Sequence, residues 1–177
     1  MTLNSYFTDI SRYNNTGDYL PIFNSVLFVE TFNIYSVLLG LFPSKHLELW
    51  YTKYRLSAVI TDVIIINIII IVARYLYPFF FSSFFILYFV CLAILVQIVH
   101  DFLFYLVIKM VPKGKNAMID TFKAYAKEAG VYAVLGDSIV ITFSCLIASF
   151  MAGHSVNYNI VSLIISAYFI PYILYTK

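Results

Sequence analysis

Charge is scarce in this sequence: 11% of its 177 residues are Asp, Glu, Lys or Arg, against about 25% in a soluble globular domain. Hydrophobic residues make up 62%. A soluble fold of this size buries only about 70% of the surface its unfolded chain exposes, too little to hide so apolar a chain. Composition therefore excludes an ordinary soluble domain and places the chain in a lipid bilayer. A net charge of +2 argues against a nucleic-acid partner. The two cysteines, Cys91 and Cys145, both fall in apolar runs; they give no disulfide framework and read as packing residues. With only His46, His100 and His154, the chain lacks the histidines of a di-metal membrane oxygenase, and His100 alone lies within a membrane segment, which excludes bis-His haem.

Other signatures are missing as well. There is no glycine-rich phosphate loop and no GxGxxG fingerprint. No mid-span lysine is available to hold retinal, and neither a TVGYG filter nor an arginine-rich voltage sensor is present. Val134-Leu135-Gly136-Asp137 lacks the first glycine of the GxGD motif, which argues against aspartyl proteolysis by Asp101 and Asp137. The sequence predicts no enzyme and no cofactor.

What is present is long apolar segments. A membrane helix needs about 20 mostly apolar residues, and 56–77, 84–108, 131–152 and 156–175 meet this, with Pro171 expected to kink or end the last of them. Residues 19–42 are weaker, because they hold Asn24, Glu30 and Asn33; a fifth span, a re-entrant piece and an interfacial helix are all open, the span being favoured. The expected fold class is all-α, a polytopic transmembrane helix bundle forming one integral membrane domain behind a polar tail at 1–18.

The few positive charges orient the bundle. Lys45, Lys53 and Arg55 precede the span at 56–77, Lys109, Lys113, Lys115, Lys123 and Lys127 lie between the spans at 84–108 and 131–152, and Lys177 ends the chain. The alternate connections carry none, so the positive-inside rule assigns the basic loops and the C-terminus to the cytoplasm. If 19–42 also crosses, the polar tail with its Asn14-Asn15-Thr16 sequon falls on the far side. No cleavable signal peptide is expected, since no basic flank precedes the first apolar run. Within the basic loop, 116–129 reads as an amphipathic helix capped by Asn116, with Met118, Phe122, Tyr125 and Ala129 on one face, lying on the cytoplasmic surface; a solvated loop is the alternative.

Intramembrane polar groups are the informative residues, because a charge at mid-bilayer costs about 2.5–3.5 kcal/mol on insertion scales. Asp62 is six residues inward from Leu56, Asp101 seven from Ile108 and Asp137 six from Val131. At 1.5 Å per residue, all three lie about 9–10 Å below the cytoplasmic boundary. Gln97, His100 and Asp101 share one helix face at i, i+3, i+4 spacing. Arg55 and Lys109 are at a depth from which they can snorkel toward the carboxylates. Arg74 is about 18 Å from Asp62 along the same helix and cannot reach; it and Glu30 are expected to reach an interface. Ala133 lies one turn before Asp137, and Ser144, Ala148 and Ala152 form a small-xxx-small series that permits close helix packing.

Two readings stay open. Asp62, Gln97, His100, Asp101 and Asp137 form either a cytoplasm-facing ion- or proton-binding site, with metal binding unassigned, or a set of packing hydrogen bonds. In the first case the protein is a small cation or proton transporter or channel. In the second it is a structural or assembly component, the reading the sequence favours. Four or five helices hardly enclose a pore, so transport calls for a homo-oligomer or a pocket within the bundle.

The stretch Gly114–Gly130, Leu135-Gly136-Asp137-Ser138 after it and His100-Asp101 before it resemble multi-pass membrane proteins encoded by large DNA viruses of algae and protists. The resemblance covers about the last hundred residues. It implies a virion or host-membrane location and carries over no catalytic residue.

Overall fold

A computed structural model describes residues 6–42 and 44–176. Lys177 and the first five residues of the polar tail lie outside the described residues. Seven α-helices and no strand occur among the described residues: α1 (Tyr19–Leu38), α2 (Lys45–Tyr54), α3 (Leu56–Phe80), α4 (Ile86–Met110), α5 (Ala117–Ala129), α6 (Val131–Ala152) and α7 (Val156–Leu174). Five of them, α1, α3, α4, α6 and α7, are long and apolar enough to cross a membrane. The fold is an all-α bundle with the make-up of a multi-pass integral membrane protein.

The least apolar of these five helices is the most enclosed. In α1, 61% of the most apolar stretch is buried, against 17% in α7. The reason is physical: lipid tails are as apolar as leucine, so polar groups rather than leucines are driven to the inside. Asn24, Ser25 and Glu30 of α1 are all buried. Asn24 donates a 3.1 Å hydrogen bond to the Asn159 carbonyl, joining α1 to α7. Around α1 stand α3, α6 and α7, while α4 closes the bundle between α3 and α6. In α6, Ser144 and Ala148 are fully buried and Ala133 and Ala152 partly so. Cys145 is packed inside, but Cys91 is exposed on the outer face of α4, so only one cysteine is a packing residue.

At one end of the bundle two short helices lie across the spans. Ser44 caps α2 by accepting from the Leu47 amide at 3.1 Å. Asn116 caps α5 by accepting from the Met118 and Ile119 amides at 2.9 and 3.1 Å. Each helix turns into the next span through one residue of positive φ, Arg55 (φ 46°) before α3 and Gly130 (φ 53°) before α6. Gly130 takes this conformation freely, whereas a side chain there costs about 1–3 kcal/mol. Arg55 meets that cost with contacts: its Nη1 donates to the Leu174 carbonyl at 2.6 Å and its guanidinium lies 4.3 Å from the Tyr175 ring centre. A cation thus caps the C-terminus of α7, where the helix dipole favours it. Arg55 does not snorkel toward the carboxylates, and Lys109 is exposed on α4. Pro171 does not end α7, which continues to Leu174.

The apolar face of α5, expected at the lipid surface, is turned onto α2 and the bundle end. Trp50 and Phe122 rings meet at 4.4 Å, and the Tyr54 hydroxyl donates to the Ala117 carbonyl at 2.6 Å. Glu128 on α5 clasps the start of α2. Its carboxylate meets the His46 ring and accepts from the Lys45 and His46 amides at 3.0 and 3.2 Å. The His46 contact, followed by those two amides, holds the Glu128 carboxyl below its ordinary value of 4.5. The clasp therefore acts fully above that value and is lost as pH falls through the lower pKa of the folded chain. Glu128→Ala is expected to raise hydrogen exchange at the Lys45 and His46 amides severalfold at neutral pH. Unchanged exchange, followed by mass spectrometry, would show that α2 is held without the clasp.

The opposite end is closed by the segment before α1. Thr8 donates its amide to the Ser149 carbonyl at 3.2 Å and accepts from the Ser149 hydroxyl at 2.6 Å, and Ile10 is fully buried. Arg74 is also fully buried, and its Nη2 donates to the Arg12 and Asn15 carbonyls and to Asp18 Oδ2 at 2.5, 2.9 and 2.9 Å. Arg74 therefore does not reach an interface; it fastens the N-terminal segment to α3.

Candidate functional site

At the α2–α5 end the helices enclose a cavity of about 550 Å³. Asp62 of α3, Gln97, His100 and Asp101 of α4 and Asp137 of α6 all line it. The structure thus brings the five sequence-predicted polar residues into one space. Glu30 and Asn33 of α1 and Trp50 and Tyr51 of α2 line it too, residues outside the set expected from the sequence. Glu30 is 1% exposed and faces the cavity rather than an interface. Its signal in the sequence is the i, i+3 pair with Asn33, which puts both polar groups on one face of α1. The signal for α2 is Leu47, Trp50, Tyr51 and Tyr54 at i, i+3, i+4, i+7 spacing behind Ser44.

Two hydrogen-bonded groups organise the polar lining. In the first, the Tyr51 hydroxyl lies between two carboxyls, donating to Glu30 Oε1 at 2.6 Å and standing 3.1 Å from Asp62 Oδ2. Trp50 Nε1 donates to the same Asp62 oxygen at 2.9 Å, and Asn33 Nδ2 donates to the Tyr51 oxygen at 3.2 Å. This group links α1, α2 and α3. In the second, Gln97 Nε2 donates to Asp101, and Ser138 donates its hydroxyl to Gln97 Oε1 at 3.0 Å, linking α4 to α6. His100 Nδ1 lies 3.2 Å from Asp101 Oδ1, with its ring stacked on Phe104 at 5.9 Å.

Asp137 belongs to neither group. It lines the cavity from α6 as an exposed residue, and among the described residues it has no hydrogen-bond partner.

Five carboxyl groups, Glu30, Asp62, Asp101, Glu128 and Asp137, line the cavity, and among the described residues no lysine or arginine does. His46 and His100 are the only lining side chains that can carry positive charge. The imbalance acts on groups outside the spans. Burial, followed by the charges of Asp137, Asp62 and Asp101, pushes the Tyr125 hydroxyl on α5 well above its ordinary value. Burial and the charges of Glu30 and Asp62 do the same to Tyr51, which therefore stays a proton donor. Exposed Phe42, Tyr132 and Leu135 on the lining place the cavity mouth at the α2–α5 end.

The lining does not form a metal cage: among the described residues no three His, Cys, Asp or Glu groups converge as metal ligands do. What the arrangement can do is attract positive charge and pass protons among carboxyls, Tyr51 and His100. Carboxylates in one low-dielectric space resist simultaneous ionisation, so a proton or a cation is favoured there.

Toward the far end the bundle is filled with apolar side chains, among them Ile70, Phe89, Ile141 and Cys145, all fully buried. The cavity is therefore closed toward that end. No protein-family model, characterised protein or solved structure matches this chain.

Proposed function

We propose that the protein is a small multi-pass membrane transporter that accepts a proton or a cation in this cavity. One observation carries the reading: five carboxyl groups drawn from four spanning helices and α5 face one space that, among the described residues, no lysine or arginine enters. A bundle held together only by polar packing would pair or exclude such groups, because uncompensated buried charge is costly. The positive-inside rule supports a cytoplasmic mouth, since Lys45, Lys53, Lys113, Lys115, Lys123 and Lys127 all lie in or beside α2 and α5. Leu174 beside Arg55 brings the end of α7 to that same side. On this reading the site lies within one protomer, and assembly into a homo-oligomer is not required to form it.

The membrane we assign is that of a large DNA virus or its host, on the sequence resemblance of the C-terminal half. That resemblance equally supports an assembly role, which predicts no transport.

Purified protein in liposomes with an internal pH-sensitive dye separates the two. A proton flux is expected under an imposed potential, with Asp137→Asn and Asp101→Asn each lowering it by about tenfold or more, the effect of losing about 1.4 kcal/mol. Absence of proton or alkali-cation flux under that potential overturns the transport reading and leaves the assembly role.

A further inference from the structure

We propose that the cavity binds a singly charged organic cation with an apolar body, such as an aryl or alkyl ammonium. The inference rests on the reading above only in using the same cavity, and it names the class of substrate.

Size comes first. A volume of about 550 Å³ falls in the range of about 300–1,000 Å³ typical of small-molecule sites. A bare metal ion instead needs several ligands within touching distance, which these residues do not supply.

The walls come next. Trp50, Phe104 and Phe122 form a continuous aromatic surface, with Phe122 centred 4.4 Å from Trp50 and 5.5 Å from Phe104. Across the lining stand Ile65, Ile66 and Ile69 of α3. An inorganic ion gains little from such walls. An organic ammonium buries its apolar groups against them and is drawn to ring faces by their quadrupole.

Charge then fixes where the cationic head sits. Glu30 and Asp62 are engaged by Tyr51 and Trp50, Asp101 by Gln97 and His100, and Glu128 by His46 and two amides. Asp137 alone of the five has no hydrogen-bond partner among the described residues, and it stands exposed on the cavity lining, where a ligand can reach it. Beside it, Gly136 leaves room: a Cβ added there meets no atom within 4 Å. A carboxylate without a partner, beside open space in a cavity that also carries an aromatic wall, suits a bulky organic cation.

Trp50 is the single tryptophan of the chain and lies on the cavity wall, so its fluorescence reports occupancy directly. The full chain in detergent is titrated with benzyltrimethylammonium chloride, with neopentylbenzene as the uncharged probe of the same shape and potassium chloride as the ionic control. A saturable change in Trp50 emission is expected with the ammonium and not with potassium. The neutral probe is expected to bind at least about tenfold more weakly, and Asp137→Asn to weaken the ammonium by a similar factor.

Gly136→Leu fills the space while leaving every carboxyl in place, and is expected to abolish binding with the circular dichroism of the parent retained. A missing saturable response overturns the proposal. So does equal affinity for the neutral probe, or binding unaltered in both variants. Flux in liposomes without ammonium binding overturns this inference alone; ammonium binding without any flux overturns the transport reading alone.

Discussion

Arg74→Leu is expected to release the N-terminal segment from the bundle at a cost of about 3–5 kcal/mol, the penalty for removing one partner of a buried ion pair. Both members are enclosed, Arg74 at 0% and Asp18 at 7% side-chain exposure, so solvent does little to screen them. Three acceptors converge on Arg74 Nη2, namely the carbonyls of Arg12 and Asn15 and the Asp18 carboxylate, and the guanidinium rests 4.8 Å from the Tyr19 ring centre. Leucine fills part of the volume and satisfies none of these acceptors. The measurement is built into the segment: the carbonyl that Arg74 holds at residue 12 belongs to the peptide bond that trypsin cuts after Arg12. If cleavage follows local opening, 3–5 kcal/mol corresponds to about a hundredfold to several thousandfold faster nicking at that bond, at about 1.4 kcal/mol per decade. Arg74→Leu combined with Asp18→Asn removes the stranded charge and is expected to recover much of the loss. Nicking at the parental rate in Arg74→Leu would show that Thr8, Ile10 and Ser149 hold the segment unaided.

That fastening bears on the site, because it seals the opposite bundle end, twelve helical residues or about 18 Å along α3 from Asp62 to Arg74. Two polar layers thus occupy opposite ends of one bundle, with apolar packing between them. At one end charge is neutralised within the fold by Arg74 and Asp18. At the other, acids accumulate with no lysine or arginine among the described lining residues. A structural role accounts for the first layer; the second is unbalanced in a way that packing does not require.

Most of this was legible in the sequence, for reasons that differ between elements. The helices α3, α4, α6 and α7 are long apolar runs, and length alone identifies such runs as spans. The common depth of Asp62, Asp101 and Asp137 follows from the fixed rise of a helix, which is why three residues distant in sequence line one cavity. Periodicity fails where a residue's partner is on another element. Glu30 looked too polar for lipid, and so it is; α1 is central and never needs to face lipid at that position. Arg55 lies at the right depth to meet the carboxylates, yet its positive φ turns it to the end of α7. Lys45, Lys53 and Arg55 make the ten residues of α2 look like a basic loop in the sequence. Their apolar face becomes meaningful only when α5 is there to pack on it.

Tyr51→Phe tests the best-built part of that cavity. One hydroxyl proton serves two carboxyls, at 2.6 Å from Glu30 and 3.1 Å from Asp62. It can bridge both only if a carboxyl supplies a second proton or the hydroxyl alternates between them. Phenylalanine keeps the ring and removes the bridge. Asp62 retains the Trp50 indole at 2.9 Å, so the loss falls on Glu30, whose remaining donor Asn33 is no nearer than 3.4 Å. A buried acceptor left without a good donor costs about 1–3 kcal/mol, and more when charged. Thermal unfolding in detergent should therefore show Tyr51→Phe destabilised by at least that amount, and Glu30→Leu added to it should restore stability, because both polar partners are then gone. If the pair of changes is additive instead, Glu30 is not the group that the hydroxyl satisfies. In liposomes the same single variant is expected to slow proton flux while leaving benzyltrimethylammonium binding intact, since Asp137 and the aromatic wall are untouched. That divergence distinguishes a hydroxyl that passes protons between α1 and α3 from one that only holds the two helices together.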